Sequence, residues 1–326
     1  MINSTELVTT SKNELEQVEL CDMYTNTLTP LTKMNYISTI KEFFGVSDLS
    51  QITIEQMQSV TPNMANIYAH KLLAEGNAKS TINRKLSALH SFYKFLCRRN
   101  VGIMDYSPFD TNEGCIRFKN ATKDYSDKRV LNQEEIVKMF KSAAKEGGII
   151  GKRDLLVLQL LATTGMRRAE LCGIKLGDIT TMSGKHIAQI TGKGDKTRII
   201  VIADHVYELI KEYLDMRGVS FKDKTLPLIV SHSSNADSTK HVDTTTIYRI
   251  VKKHADKAGV DADTISPHAL RATFATTAYA ELGADKDTLQ ELMGHTSVST
   301  TSRYIKAVKM LDNSPAEQLA NMYNIK

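Results

Sequence analysis

The spacing of apolar residues over residues 21–109 predicts a helical first domain. Helices are expected after Thr32, which can cap a helix, after Thr53, and over residues 61–75, which precede a glycine. A fourth helix, with a serine–threonine cap at residues 80–81, has the clearest amphipathic pattern. Its apolar stripe consists of Ile82, Leu86, Leu89, Tyr93 and Leu96.

The pattern of the second half combines helices with two short β-like runs. Asn132 followed by Glu135 is typical of a capping box at a helix start. Residues 186–191 and 197–202 flank a glycine-rich turn, which predicts a β-hairpin. Further helices are predicted over residues 152–164, 204–217, 244–258, 267–282 and 285–293, with a last one ending near Tyr304. The chain is therefore predicted to be mainly α, with a small antiparallel sheet in its second domain.

Changes in these patterns divide the chain into five segments. A basic segment over residues 111–130 has no apolar period and can be a solvated loop or a strap held against DNA. The apolar pattern of the C-terminal segment, residues 313–326, predicts a short amphipathic helix, which can pack on its own domain or on a neighbouring copy. The predicted segments are a flexible lead-in over 1–20, a first domain over 21–110, an exposed basic linker over 111–130, a second domain over 131–312 and a helical tail over 313–326.

Composition changes this picture little. The chain has 41% hydrophobic and 24% charged residues, as in an ordinary globular protein, and its net charge of +5 fits nucleic-acid binding only weakly. The four cysteines form no CxxC pair, which favours reduced thiols over a zinc site. Residues 1–17 do not resemble a secretion signal, and the apolar stretch 155–162 is too short to span a bilayer. We expect a soluble, cytoplasmic protein.

Three short motifs in the second half carry candidate chemistry. His268 and Arg271 stand three residues apart at a predicted helix N-terminus, an arrangement that suits a phosphate but is also common in surface pairs. Arg167 can present a rigid fork to phosphate oxygens, or simply form a helix-start ion pair with Glu170. Tyr304 follows the Gly294-His295 step by nine residues, although a tyrosine alone is usually structural.

Taken together and in order, these motifs resemble those of the tyrosine recombinases, or phage integrase family, especially the Xer-like and transposon-borne members. The resemblance covers nearly the whole chain. In the second domain it is carried by TGMRRAEL, GKGDKTR, SPHALRATFAT and LMGHTSVSTTSRY. In the first domain, the helical pattern T-x-x-R-x-L-S-A-L of the family's SAM-like core-binding domain matches Thr81, Arg84, Leu86, Ser87, Ala88 and Leu89.

The resemblance implies a site-specific DNA recombinase that cleaves and rejoins strands through a 3′-phosphotyrosyl intermediate, with no cofactor, metal or ATP. It implies that Arg167, His268 and Arg271 bind the scissile phosphate beside His295, that Lys193 is the general acid, that Tyr304 is the nucleophile, and that Glu170 is the supporting acidic residue. His268 is also the candidate base. The DNA-contacting candidates are Arg84, Lys85, Lys119, Lys123, Lys128 and Arg129.

Two departures from the family pattern leave these groups intact. The common Leu-Gly-His reads Leu292-Met293-Gly294-His295, and Arg168 stands where many relatives have an apolar residue.

The implied partners are duplex DNA with specific core sites and further copies of the chain in a tetrameric synapse, while accessory DNA-bending or directionality proteins are left open and no membrane is expected. The alternatives are a catalytically silent DNA-binding protein on the same scaffold, a type IB topoisomerase-like enzyme and a metal-dependent transposase. The transposase is disfavoured because no carboxylate cluster stands out in the sequence.

Overall fold

A computed structural model describes most of the chain and divides it between Thr122 and Lys123 into two compact units. We call these the N-terminal and the C-terminal unit, and each is described by itself. The described residues are 20–98, 101–119, 129–192, 197–233, 235 and 237–294.

The N-terminal unit is helical, as its apolar spacing predicted. After a helical stretch over residues 20–26, its helices are α1 (Pro30–Phe44), α2 (Ile54–Ser59), α3 (Pro62–Ala74) and α4 (Lys79–Leu96), with a 3₁₀ turn at Leu49–Gln51. The side chain of Thr53 caps α2 by accepting a hydrogen bond from the backbone N–H of Gln56. The cap predicted at Thr32 is wrong, because Pro30 occupies the first turn of α1 and Thr29 precedes it.

The predicted apolar stripe of α4 forms the centre of the N-terminal unit. Leu86, Leu89 and Tyr93 are fully buried, and the hydroxyl of Tyr93 donates a hydrogen bond of 2.9 Å to the backbone carbonyl of Met57. This bond satisfies the one polar group that the stripe carries into the core. The helix itself begins at Lys79, ahead of the predicted cap at residues 80–81.

The basic segment after residue 110 is not uniformly exposed, and the prediction of an exposed linker is wrong for residues 115–118. Cys115 is buried, and the backbone N–H of Ile116 donates to the side-chain oxygen of Asn66 at 2.8 Å. The side chain of Asn83 bonds to both the N–H and the carbonyl of Phe118. Two asparagines on helices therefore hold this stretch against the N-terminal unit by satisfying its backbone groups.

The C-terminal unit contains the remaining helices and one small sheet. Its elements are α5 (Gln133–Glu146), α6 (Gly148–Thr164), α7 (Arg168–Gly173), β1 (Ile179–Met182), β2 (Lys185–Thr191), β3 (Thr197–Ile202), α8 (Asp204–Arg217), α9 (Thr244–Lys257), α10 (Pro267–Ala280) and α11 (Lys286–Met293). The capping box predicted at Asn132 is present at the start of α5.

The sheet is antiparallel in the order β1-β2-β3. The predicted hairpin is β2–β3, which pairs Ala188 with Ile200 and Gln189 with Ile199. The analysis of apolar spacing missed β1, a four-residue strand with only Ile179 buried. Such a short edge strand lacks the alternation that identifies longer strands.

Helix α6 runs through the core of the C-terminal unit. Leu156, Val157, Leu160 and Leu161 are almost completely buried, so the helix contacts neighbours on most of its surface. Over the described part of the chain, none of the helices has the length and apolar character needed to cross a membrane. The fixed position of α6 matters because its carboxyl end leads directly into the arginine motif.

Candidate active site

The first part of the site lies where α6 ends and α7 begins. Gly165 ends α6 in the left-handed conformation, and Arg167 occupies the N-cap position of α7. The carboxylate of Glu170 accepts hydrogen bonds from the backbone N–H of Arg167 at 2.6 Å and from its Nη1 at 2.8 Å. Glu170 therefore fixes both the main chain and the side chain of Arg167.

The second part is the N-terminus of α10. Ser266 caps this helix by accepting a hydrogen bond from the backbone N–H of Ala269, and Pro267 occupies the first turn. His268 is exposed, whereas Arg271, one turn further on, is buried. The unpaired N–H groups of a helix start favour an anion at this place.

These two parts line one cavity of about 340 Å³. The structure thus brings together three of the predicted phosphate-binding residues, Arg167, His268 and Arg271. The cavity is lined by Met166, Arg167, Arg168, Tyr248, Ser266, Pro267, His268 and Arg271. Three arginines, a histidine and a helix N-terminus around one space can hold a tetrahedral oxyanion.

The third part is the carboxyl end of α11, where three arginines donate to three successive backbone carbonyls. Arg198 Nε donates to Leu292 O at 2.9 Å, Arg271 Nη2 donates to Met293 O, and Arg167 Nη2 donates to Gly294 O at 2.9 Å. A helix end carries unpaired carbonyls and partial negative charge, so cations stabilise it. The chain therefore leaves α11 toward residue 295 from a point held by the arginines of the site.

Glu170 is the charge that organises these arginines. Burial alone raises the pKa of its carboxyl group, but hydrogen bonds from Arg198 and from the backbone and side chain of Arg167 outweigh burial and lower that pKa to about 2. The carboxylate is therefore ionised at neutral pH and gives the arginines a fixed negative partner inside the protein.

Several predicted site residues lie outside the described residues. These are Lys193, His295 and Tyr304 of the reaction centre, and Lys123 and Lys128 among the DNA-contacting candidates. The roles that the family resemblance implies for them stay predictions.

The other DNA-contacting candidates differ in how far their charges are already used. Arg84 and Lys119 are exposed. Lys85 is largely buried, and its ammonium group forms an ion pair with Glu42, with an Nζ–Oε2 distance of 2.8 Å. Arg129 forms an ion pair with Glu135. Among the four, Arg84 and Lys119 are thus the better placed for a phosphate backbone.

In the part of the chain that the structure describes, one group of side chains has the spacing of metal ligands, namely Glu146, Asp154 and His254. Both carboxylates already have cationic partners, since Lys253 contacts both of them and Lys257 contacts Glu146. None of these residues lines the arginine-lined cavity. We therefore interpret the cluster as a structural ion-pair network, with Asp154 and His254 buried and Glu146 exposed.

Sequence reasoning missed Arg198, the arginine that binds both carboxylate oxygens of Glu170. Its position held a signal, because strand alternation places it on the same face of β3 as the buried residues Ile200 and Ile202. A charged side chain on the core face of a strand requires a buried partner of opposite charge. The alternation did not reveal that the partner is Glu170.

Comparison with known families matches both units. The model of the phage integrase family matches residues 129–310, and that of the phage integrase N-terminal SAM-like domain matches residues 23–100. The second match agrees with the core-binding helix pattern found in the sequence.

Curated relatives cover most of the chain. A protein named tyrosine recombinase XerC, from Thermodesulfovibrio yellowstonii, is 30% identical over 274 residues, which is 82% of this chain and 83% of the relative. A protein named tyrosine recombinase XerD, from Staphylococcus aureus, is 29% identical over 253 residues, which is 78% of each chain.

Solved structures share the fold. The Tn1549 transposon integrase in complex with transposon right end DNA aligns with a TM-score of 0.61 at 20% identity, over 87% of this chain and 94% of that one. The XerH site-specific recombinase in its post-cleavage complex aligns with a TM-score of 0.58 at 23% identity, over 89% and 79% of the two chains. With a family model matched over more than half of its length and a relative 30% identical over most of it, the chain belongs to the phage integrase family of tyrosine recombinases.

Proposed function

We propose that this protein is a site-specific DNA recombinase that cleaves and rejoins strands through a covalent bond between Tyr304 and a DNA phosphate. The observation that carries the proposal is the convergence of Arg167, His268 and Arg271 on one cavity. The same arginines hold the carboxyl end of α11, and the proposed nucleophile follows in sequence ten residues after Gly294.

Attack on a phosphodiester passes through a five-coordinate phosphorus with increased negative charge on its non-bridging oxygens. Arg167 and Arg271 supply fixed positive charge at this point, and His268 supplies a hydrogen-bond donor or a base. Their partners within the protein, Glu170 for Arg167 and main-chain carbonyls for Arg271, orient both guanidinium groups before DNA arrives. Little reorganisation is then needed when the charge develops.

The covalent step exchanges one phosphodiester for another. The phenol oxygen of Tyr304 bonds to phosphorus as the bond to the 5′ oxygen breaks, the phenolic proton passes to a base, and the leaving oxygen takes a proton from the assigned acid, Lys193. A 5′ hydroxyl of another strand reverses the step and joins the ends. The energy of the phosphodiester is retained in the phosphotyrosyl bond, so the cycle needs no ATP.

A nicked suicide substrate tests the nucleophile. Wild-type protein is expected to trap a covalent DNA adduct, because the short cleaved fragment diffuses away, and Tyr304→Phe is expected to bind the same DNA without forming it. Tyr248→Phe is the matched control, since Tyr248 lines the cavity but has no assigned role. Adduct formation by Tyr304→Phe, or its loss only in Tyr248→Phe, would overturn the assignment.

Two further assays separate recombination from its alternatives. A type IB topoisomerase relaxes supercoiled plasmids that lack any special site, whereas this protein is expected to act only on DNA with its core sites. A metal-dependent transposase stops in EDTA, whereas adduct formation through fixed arginines is expected to continue. A catalytically silent DNA-binding protein gives no adduct under any of these conditions.

The partners follow from the same proposal. We expect the protein to bind duplex DNA and to assemble with further copies on it, and a lambda integrase tetramer bound to a Holliday junction shows that the fold permits such an assembly. The tetrameric synapse, the accessory proteins and action in the cytoplasm stay predictions for this chain. The transposon-encoded integrase among its structural neighbours makes a mobile element a natural setting for it.

A further inference from the structure

Arg198, near the start of β3, has no role in the chemistry described above, yet all three of its guanidinium nitrogens donate hydrogen bonds. Nη1 and Nη2 bind the two oxygens of Glu170 at 2.9 and 2.8 Å, and Nε binds the carbonyl of Leu292 at 2.9 Å. Its side chain is only 13% exposed, compared with 41% for Arg167. Arg198 is therefore directed into the protein, while Arg167 has a face open to solvent.

We propose that Arg198 is a positioning residue for strand cleavage, which keeps Arg167 available to the phosphate by binding both carboxylate oxygens of Glu170. This inference rests on the proposed function, where Arg167 is assigned to the scissile phosphate. Arg167 makes one side-chain bond to Glu170, through Nη1, and its Nη2 binds the Gly294 carbonyl. Arg198, by contrast, binds both carboxylate oxygens of Glu170 through its two Nη atoms.

The argument depends on the charge of a buried carboxylate. Glu170 is 5% exposed and must keep cationic partners to stay ionised there. Without Arg198, Arg167 is the remaining side chain that forms an ion pair with it among the described contacts. A guanidinium and a carboxylate prefer two parallel hydrogen bonds. Loss of Arg198 should then draw Arg167 into a bidentate pair and away from the cavity.

The surroundings of Arg198 keep it in this place. The bond from Nε to Leu292 O stops the guanidinium from rotating away from Glu170. Gly294 has a φ of +58°, and a Cβ added there would lie 2.8 Å from Nη1 and 3.1 Å from Cζ of Arg198. The guanidinium therefore packs directly on the glycine backbone at the end of α11, where a larger residue would displace it.

The test compares Arg198→Gln, Arg198→Lys and wild type by three measurements on the full chain. These are the single-turnover rate of adduct formation on the suicide substrate, the Kd for the same DNA, and the melting temperature. Arg198→Gln is expected to slow adduct formation about 100-fold, the order of loss that misplacement of a catalytic group by about 1 Å produces. The Kd should change little. Arg198→Lys keeps the charge but not the two parallel bonds, and should be intermediate.

A second background distinguishes positioning from a merely structural role. In Arg167→Lys, which retains a cation but loses the fork, Arg198→Gln should slow the reaction far less than in wild type, since its effect acts through Arg167. The same fold-loss in both backgrounds, or a wild-type rate for Arg198→Gln, would overturn the inference. If Arg198→Gln does not fold, Arg198→Lys carries the test, because it keeps a cation beside Glu170 but loses the two parallel bonds. It should react more slowly than wild type at an unchanged Kd, and a wild-type rate would overturn the inference.

The outcome is separable from that of the proposed function. An adduct that persists in Tyr304→Phe contradicts the proposed function itself. An adduct that requires Tyr304 but forms at the wild-type rate in Arg198→Gln leaves the proposed function intact and rejects only the role of Arg198.

Discussion

Individual side chains in the site are held by charge as much as by packing. Glu170 joins Arg167 and Arg198 in one buried network, and a second network joins Asp154 to Arg153, Lys253 and His254. In both networks the carboxyl pKa is lowered to about 2, although burial opposes the shift. The C-terminal unit therefore contains carboxylates whose ionisation is linked to its folding.

The pKa of Glu170 predicts how stability changes in acid. Its value in the folded state, about 2, lies below its ordinary value of 4.5, so the ionised group contributes stability above about pH 4.5 that is lost as the pH falls toward 2. The shift corresponds to about 3 kcal/mol. Urea unfolding of the chain between pH 7 and pH 2.5 should show this loss. Glu170→Gln, which cannot ionise, should have a flatter pH dependence, and an unchanged slope would contradict the linkage.

At the scale of elements, helix ends determine where the site residues lie. Gly165 ends α6 with a φ of +61°, its carbonyl accepts a hydrogen bond from Arg271, and an added Cβ would lie 2.3 Å from Cδ1 of Phe274. Gly165 thus adopts the left-handed conformation, accepts a hydrogen bond from Arg271 through its carbonyl, and allows the ring of Phe274 on α10 to approach closely. Position 165, at the start of the turn between α6 and α7, therefore admits no side chain.

Gly165→Ala is therefore expected to destabilise the C-terminal unit more than an ordinary cap substitution. The left-handed conformation costs about 1 kcal/mol, and displacement of Phe274 adds about 1–3 kcal/mol. Gly218 is the matched control, because it ends α8 with a φ of +67° and has open space around it. Gly218→Ala should show only the loss of about 1 kcal/mol from the left-handed conformation, as measured by urea unfolding. Equal losses at the two glycines would show that Phe274 yields without cost.

Elements with strong local signals were predictable from the sequence, and contacts between distant residues were not. The stripe of α4, the helix after Thr53, the capping box at Asn132 and the β2–β3 hairpin each follow from neighbouring residues. The packing of residues 115–118 depends on Asn66 and Asn83, which are far away in sequence. For the same reason the sequence suggested Arg167 and Arg271 separately but gave no sign of the carbonyls at the end of α11.

At the scale of the whole molecule, the distribution of charge matters more than the modest net charge of +5. Exposed basic residues of α4 include Arg84 and Lys94, and exposed Arg98 follows two residues after the helix ends. Lys85 belongs to the same helix, but its charge is neutralised by Glu42. Neighbouring residues of one helix are thus expected to contribute differently to DNA binding by the full chain.

The salt dependence of binding distinguishes these contributions. Each phosphate that the protein neutralises adds about −0.9 to the slope of log K against log salt concentration. Arg84→Gln should therefore make the slope shallower by about one contact, whereas Lys85→Gln should leave it nearly unchanged and lower the melting temperature, because it breaks the pair with Glu42. Fluorescence anisotropy with core-site DNA at several salt concentrations measures both slopes. If Lys85→Gln reduced the slope as much as Arg84→Gln, Lys85 would have to exchange Glu42 for a phosphate on binding, and the arrangement of α4 in the free protein would not be the one that contacts DNA.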